Sequence, residues 1–129
     1  MILRGPSCPE LFRDETLADI LRQTASRLPA KAALRFGSKS TTYAELAAAA
    51  EQVAGALSRR GGAPGRIVGL WLPRGSELLT AQAGITFCGA AWLPFDAATP
   101  VERIAECLRS AEALGILDQD RNQMFAESL

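Results

Sequence analysis

The sequence of 129 residues predicts one α/β domain: a partial parallel sheet with crossover helices, preceded by a helix and a β-hairpin. Two observations predict this class. Strand-like and helix-like segments alternate through residues 66–117, and the strand-like segments are short, nearly continuous apolar runs. Parallel strands need crossover connections, and strands covered on both faces are apolar throughout. The predicted order is helix, hairpin, helix, strand, helix, strand, helix, strand.

The first helix begins after Thr16, because Asp19 follows at the spacing of a capping box. Pro29 ends this helix. Its predicted buried stripe consists of Leu17, Ile20, Leu21, Thr24 and Leu28.

Two short strands follow, residues 32–36 and 39–42, joined by a Gly-Ser turn that suits a β-hairpin. Thr42 and Glu45 form a second capping box, which opens a helix that runs to about Arg60. The glycine-rich segment GGAPG, residues 61–65, ends that helix. Its predicted buried face consists of Leu46, Ala50, Val53 and Leu57.

Residues 66–72, RIVGLWL, have the composition of a strand covered on both faces. The helix after this strand is expected to be capped by Ser76, to end near Cys88, and to be deeply buried, since it is apolar nearly all round. A strand at 91–93 comes next. The last helix is expected to begin at Thr99, with Glu102 completing a capping box and Pro100 in the first helical position. Its inward side chains are predicted to be Val101, Ile104, Ala105 and Leu108.

A final strand is predicted at residues 114–117. The domain boundaries follow from this pattern. We expect an extended arm over residues 1–13, the folded part over 14–118, and a tail of unknown structure over 119–129.

The composition excludes several kinds of chemistry. The chain has no histidine, which removes imidazole acid–base catalysis, Ser–His and Cys–His pairs and histidine metal sites. Fourteen basic residues balance fourteen acidic ones, so no net charge favours nucleic acid or an anionic membrane. Three widely spaced cysteines, Cys8, Cys88 and Cys107, form neither a disulfide framework nor a zinc pattern. No signal peptide or membrane span is evident, and we expect a cytoplasmic protein.

Three segments have some features of a functional site. The loop at 61–65 precedes a strand, whereas a phosphate loop lies between a strand and a helix. Residues 72–76, which include Arg74, lie between a strand and a helix, and this is the order that an anion site requires. They contain only one glycine, however, and Glu77 would repel phosphate. A simple turn is therefore favoured at both places.

Asp96 follows a predicted parallel strand, where ligands of open α/β sheets bind, and could be a catalytic acid or a metal ligand. No second carboxylate lies near it in sequence, so a role in fixing the turn is favoured. Trp71 and Trp92 are expected to be core residues. We therefore predict no catalytic, cofactor-binding or metal-binding residue in this chain.

Two segments carry a family resemblance. TTYAEL, residues 41–46, and GAAWLPFDAATPVERI, residues 89–104, resemble the first two core motifs of adenylate-forming enzymes, and most closely those of the amino-acid adenylation domains of nonribosomal peptide synthetases. The resemblance runs from about Thr16 to Leu117. One departure is the segment Thr86-Phe87-Cys88-Gly89, where the family has a Leu-Lys-Ala-Gly-like sequence.

The resemblance implies that the parent enzyme activates an amino acid, or another carboxylic acid, with ATP and Mg²⁺. The acyl-adenylate then passes its acyl group to the phosphopantetheine of a carrier protein. The family's phosphate loop, magnesium carboxylate, ribose-binding aspartate and catalytic lysine come later than the segment present here, and the chain's two lysines, Lys31 and Lys39, flank the hairpin. We therefore expect the N-terminal portion of an adenylation domain, inactive alone.

Two alternatives remain open from the sequence. The chain could be a non-catalytic module that binds a partner protein. It could also be one half of a split ligase, which pairs with a separately encoded remainder. The partner-binding module would use the apolar helix Ser76 to Cys88, which a truncated sheet leaves partly uncovered.

Overall fold

The computed structural model describes residues 1 and 3–119 of the chain. The helices in this range are α1 (Leu17–Arg27), α2 (Tyr43–Ser58), α3 (Ser76–Phe87) and α4 (Val101–Ser110). The strands are β1 (Ala32–Phe36), β2 (Lys39–Thr42), β3 (Ile67–Leu70), β4 (Ala91–Pro94) and β5 (Ile116–Leu117). The predicted order of elements is confirmed. A 3₁₀ turn, Pro9–Leu11, precedes α1, and the part of the predicted tail at residues 120–129 lies outside the described residues.

The strands form a two-stranded antiparallel sheet, β1-β2, and a three-stranded parallel sheet in the order β4-β3-β5. In the parallel sheet, Val68 pairs with Trp92 on one side of β3, and Gly69 pairs with Ile116 on the other. The predicted fold class is therefore confirmed: a partial parallel sheet with crossover helices, preceded by a helix and a β-hairpin.

Alternate residues of β3 pack against different helices. Val68 and Leu70 are fully buried and belong to one apolar cluster with Leu57 of α2 and Ile85 of α3. The other face carries Gly69. A Cβ at Gly69 would lie 2.6 Å from Cδ2 of Leu108 in α4, so this glycine lets α4 approach the sheet closely. Helices α2 and α3 thus cover one face of the sheet, and α4 covers the other.

Helices α1, α2 and α3 are joined by Arg22 of α1. Its Nε donates to Oε1 of Glu51 in α2 at 2.9 Å, and its guanidinium lies 4.1 Å from the centre of the Phe87 ring in α3. A cation over an aromatic face and an ion pair both hold the side chain in place. One arginine therefore connects three helices.

The first two helices begin as predicted. The amide of Asp19 donates to Oγ1 of Thr16 at 3.2 Å, and the amide of Thr16 donates to Oδ2 of Asp19 at 2.9 Å. Thr42 and Glu45 repeat this exchange at the start of α2, with distances of 3.2 and 2.8 Å. Both capping boxes are confirmed.

The predicted caps of α3 and α4 are wrong. Ser76 is the first residue of α3, and the residue before it, Gly75, has no side chain that could cap the helix. In α4 the N-cap is Pro100, and no side chain caps the helix. The reason is local: the amide of Thr99 already donates to the carbonyl of Asp96 at 3.0 Å, so it is not free for Glu102.

Several side chains predicted to be buried are exposed. Leu17 is 64% exposed, Ile20 43% and Leu28 41%, so the apolar stripe of α1 is largely uncovered. Leu79 of α3 and Val101 of α4 are also exposed, at 44% and 60%. Spacing shows which face of a helix is apolar, but the elements of this chain do not cover that whole face.

Candidate functional site

The fold favours one place for a ligand, at the carboxyl ends of the parallel strands. Helix α3 follows β3 on one face of the sheet, and α4 follows β4 on the other. Adjacent strands whose helices lie on opposite faces leave a crevice between their carboxyl ends. A cavity of about 300 Å³ lies there. It is lined by Trp71, Leu72, Pro73, Ala97, Asp118 and Gln119.

Trp71 and Asp96 connect the two loops beside this crevice. The indole Nε1 of Trp71 donates to the carbonyl oxygen of Asp96 at 3.1 Å. The Asp96 carboxylate accepts from the amide of Ala98 at 2.9 Å, which closes a tight turn. Asp96 therefore fixes the turn, as the sequence favours, and its carboxylate oxygen Oδ1 is used in doing so.

The tryptophans are partly in the core. Trp71 packs against the cluster on the α4 side of the sheet, and Trp92 packs against the cluster on the α3 side. Each is half-buried and also lines a cavity. The prediction that both are core residues is correct in that each packs against an apolar cluster. It did not include the part of each side chain that lines a cavity.

The loop from β3 to α3 does not form a phosphate cradle. Gly75 is extended, with a φ of 163°, and no side-chain bond caps the helix start. Glu77 lies in the first turn of α3, where its negative charge opposes a phosphate. The loop at residues 61–65 is a helix end, as predicted: the amide of Gly62 donates to the carbonyl of Leu57 at 2.8 Å.

The residues that the structure describes do not form a magnesium site. In the described range, 1 and 3–119, no group of three or more His, Cys, Asp or Glu side chains could hold a metal ion. Asp96 is engaged in its own turn, and a single carboxylate is a weak site for Mg²⁺. No chemical step is therefore assigned to a metal or to ATP within this chain, and the prediction that it holds no catalytic or ligand-binding residue stays a prediction.

The cysteines are free, and each is half-buried. Cys88 packs against two apolar clusters, and its Sγ donates to the carbonyl of Ile85 at 3.2 Å. Lys31 lies just before β1 and Lys39 is the first residue of β2, and both are exposed. No helix in the described part of the chain is long and apolar enough to cross a membrane.

Comparison with known proteins decides the family. The family model described as "AMP-binding enzyme" matches residues 21–128, which is most of the chain.

The chain belongs to the AMP-binding enzyme family.

A curated protein resembles the chain over nearly its whole length. Delta-poly-L-ornithine synthetase of Acinetobacter baumannii (strain AB307-0294) is 51% identical over 119 residues, which cover 92% of the chain and 9% of that protein. The chain thus spans less than a tenth of this relative.

Solved structures agree with this assignment. The N-terminal subdomain of NpsA from Klebsiella oxytoca, in complex with anthranilyl-AMSN, is 29% identical with a TM-score of 0.74, over 81% of the chain and 27% of that structure. An artificially fused adenylation–PCP di-domain, NpsA-ThdA, also from Klebsiella oxytoca, is 25% identical with a TM-score of 0.79, over 92% and 23%. The predicted family, the adenylation domains of nonribosomal peptide synthetases, is confirmed, and the chain corresponds to an N-terminal part of such a domain.

Residues 41–46 and 89–104 predicted the family correctly. In the structure they form the start of α2 and the β4–α4 connection. The sequence did not indicate the uncovered apolar surface on α1. The only sequence signal for that surface is the apolar stripe of α1 itself, and the same stripe is expected for a buried helix.

Proposed function

We propose that this chain supplies the N-terminal scaffold of an adenylation domain that activates an amino acid with ATP for nonribosomal peptide synthesis. The product of the complete domain is an aminoacyl-adenylate, with release of pyrophosphate. The acyl group then passes to the thiol of a phosphopantetheine carrier. The chain alone is inactive, and the complete protein is cytoplasmic.

One observation carries this proposal: the chain has the family's fold and its first two motifs, yet the bonds at its crevice serve to fix the conformation of two loops. At the crevice, the Trp71 indole donates to the Asp96 backbone carbonyl and so joins two loops, and the Asp96 carboxylate closes its own turn. Adenylation requires stabilisation of charge on the transferring phosphate, which needs cationic or backbone donors aimed at it. The β3–α3 loop, with Glu77 at its helix start, does not provide such an arrangement.

ATP and Mg²⁺ are therefore assigned to the rest of the domain. The chain's contribution is to orient the two loops at the carboxyl end of the sheet. Their geometry is set by the Trp71–Asp96 bond and by the bond from the Phe95 amide to the Leu70 carbonyl, at 2.9 Å. A rigid support of this kind positions reacting groups that lie on other segments.

A chimera tests the proposal. The chain replaces the 119-residue matching segment of delta-poly-L-ornithine synthetase, and amino-acid-dependent ATP–pyrophosphate exchange is measured. The expected result is exchange within about tenfold of the parent protein, with none from the isolated chain. Two outcomes would contradict the proposal: a soluble, folded chimera without exchange, or robust exchange by the isolated chain.

The matched control is a chimera that carries Gly69→Leu. A side chain at this position collides with Leu108, so the contact between β3 and α4 is disrupted. This variant should lose exchange together with thermal stability. L-Ornithine is the first amino acid to assay, because the 51% identical relative is named as an L-ornithine polymer synthetase.

A further inference from the structure

The N-terminal arm, residues 1–13, carries apolar side chains that its own chain leaves uncovered. Ten large hydrophobic side chains of the described residues are exposed, and four of them lie on this arm: Met1, Leu3, Leu11 and Phe12. Leu11 and Phe12 are adjacent, 72% and 83% exposed, and the 3₁₀ turn Pro9–Leu11 buries no residue. Single exposed apolar residues are ordinary, whereas neighbouring ones that match another exposed surface indicate an interaction.

Carboxylates flank these two apolar residues in sequence. Residues 9–15, PELFRDE, here the arm segment, contain three acidic residues and one basic residue. The basic residue, Arg13, pairs with Glu15 at 2.8 Å. Glu10 and Asp14 are exposed, and neither forms an ion pair with another described residue. The arm segment therefore offers two apolar side chains together with two free carboxylates.

A groove between β1 and the start of α3, here the hairpin groove, has the complementary character. Its volume is about 370 Å³. Its apolar lining includes Phe36 and Leu79, which are 57% and 44% exposed. The Phe36 ring lies against the β3–α3 loop, with its Cε1 3.8 Å from the position that a Cβ of Gly75 would take. The exposed part of a ring held in this way can pack against a second aromatic ring.

Three cations surround the hairpin groove. Arg35 and Arg74 line it, and Lys39 pairs with Phe36 across the hairpin, which places those two side chains on one face. All three cations are exposed, and none has a salt-bridge partner among the described residues. No acidic residue of the described range lines the groove, although Glu77 is next to its lining in sequence. The groove therefore favours a segment that brings carboxylates as well as apolar side chains.

The arm of the same chain is poorly placed to reach this groove. Ala18, near the start of α1, packs in one cluster with Phe87, the last residue of α3, whereas the hairpin groove lies at the start of α3. A helix of 12 residues is about 18 Å long. The chain from Phe12 to Thr16 spans at most about 14 Å when it is fully extended. The arm of a second copy has no such restriction.

We propose that the arm segment of one copy docks in the hairpin groove of a second copy, whose own arm segment docks in the first. The two contacts are equivalent, so the exchange closes a symmetric dimer. In each contact the side chains of Leu11 and Phe12 cover Phe36 and Leu79, and the carboxylates meet the arginines. This inference does not rest on the proposed function, because an exchange of arms needs no catalytic group.

The first test is the mass of the chain in solution. Light scattering and sedimentation at several concentrations should show an equilibrium between 13.7 kDa and twice that mass. Phe12→Ser removes an exposed ring and should weaken the dimer by about tenfold or more. Val101→Ser, at a 60% exposed apolar residue on α4, is the matched control and should dimerise within about twofold of the wild type.

The second test reverses the charges on one side of the contact at a time. One variant carries Glu10→Arg with Asp14→Arg, and the other carries Arg35→Glu with Arg74→Glu. Each reversed variant places like charges in both contacts of its own dimer, which should weaken by about tenfold or more. When the two reversed variants are mixed, both contacts again join opposite charges, and a dimer of one copy of each should form.

A charge control leaves the arm and the groove intact. Arg66→Glu with Arg109→Glu changes the net charge as much as the groove reversal does, at two exposed positions outside both surfaces. This variant should dimerise as the wild type does. Circular dichroism and thermal unfolding of each variant establish that the fold is intact before the masses are compared.

Three results would overturn the inference. The first is a wild-type chain that stays monomeric at every concentration, which includes an arm that folds back on its own chain. The second is a dimer that neither Phe12→Ser nor the reversed variants weaken, and the third is a mixture of the two folded reversed variants that stays monomeric. The readout is mass, so any of these results leaves the pyrophosphate exchange of the chimera, and with it the proposed function, unaffected.

Discussion

At the scale of single residues, side chains three positions apart decide where helices begin. Thr16 with Asp19 and Thr42 with Glu45 were predictable, because each pair satisfies its own backbone amides without help from the rest of the fold. The same pattern failed at Thr99. There Asp96 lies three residues earlier, and its carbonyl takes the Thr99 amide. A local competitor for one hydrogen bond therefore decides between a capping box and a turn.

Asp19 gives a prediction that depends on pH. The backbone amide of Thr16, and then its hydroxyl, donate to the Asp19 carboxylate and hold the pKa of that carboxyl below its ordinary value. Because the pKa is lower in the folded chain than in the unfolded chain, the capping box stabilises the fold above the ordinary aspartate pKa. That stabilisation is lost as the pH falls through the lowered pKa.

The measurement is a carboxyl NMR titration of the folded chain. Thr16→Ala should raise the pKa of Asp19 towards its ordinary value, because the hydroxyl donor is gone. Thr16→Ser keeps that donor and should leave the pKa close to the wild-type value. An Asp19 pKa that does not respond to Thr16→Ala would show that the hydroxyl bond is not formed in solution.

At the scale of elements, the sequence predicted the helices and strands correctly, whereas it predicted their burial less well. The hairpin strands have the predicted bounds, because a two-residue turn fixes the register locally. The burial of α1 was predicted wrongly. Its stripe is apolar at helical spacing, yet Leu17 and Ile20 face a groove. Periodicity reports the polarity of a face, and whether another element covers that face depends on parts of the fold distant in sequence.

The packing of α2 against α3 gives a second prediction, which compares two helical glycines. A Cβ at Gly84 of α3 would lie 2.5 Å from Cβ of Val53, an atom fixed to the α2 backbone. We expect Gly84→Ala to lower the free energy of unfolding by about 1–3 kcal/mol, because the helices must move apart.

Gly55→Ala in α2 is the matched control. The new Cβ would meet one atom, Nη1 of the flexible Arg59 side chain, at 3.6 Å. Alanine favours a helix over glycine by up to about 1 kcal/mol, so this variant should be more stable than the wild type. Urea unfolding of both variants gives the comparison, and a stabilised Gly84→Ala would show that the α2–α3 contact is looser than described.

At the scale of the whole molecule, the family and the fold class followed from the sequence, and the place of the uncovered surface did not. Residues 89–104 predicted the family because their amino-acid sequence is a specific motif, although the Asp96 side chain in this motif stabilises a turn. The crevice depends on α3 and α4 lying on opposite faces of one sheet. That arrangement depends on the strand order β4-β3-β5, which no local pattern specifies.

The third prediction concerns the stability of the whole chain. A partner that binds only the folded state raises the free energy of unfolding by about 2.7 kcal/mol at a hundred times its Kd. For a chain of this length, that corresponds to a rise in Tm of roughly 10 °C. The remainder of the adenylation domain should produce such a rise in the wild-type chain.

Scanning calorimetry or near-ultraviolet circular dichroism measures this shift. An unrelated protein at the same mass concentration is the control, because excluded volume alone contributes less than about 1 kcal/mol. An equal rise with the unrelated protein would contradict specific stabilisation.

The strand order also has a consequence in time. The central strand of the parallel sheet, β3, is the first of the three to be synthesised, and β4 and β5 then join its two sides in turn. Until β5 has been made, the amides of Gly69 and Trp71 lack their acceptors, the carbonyls of Gly115 and Leu117. The sheet can therefore grow outward from its oldest strand as the chain leaves the ribosome, and no paired strand has to separate to admit a later one.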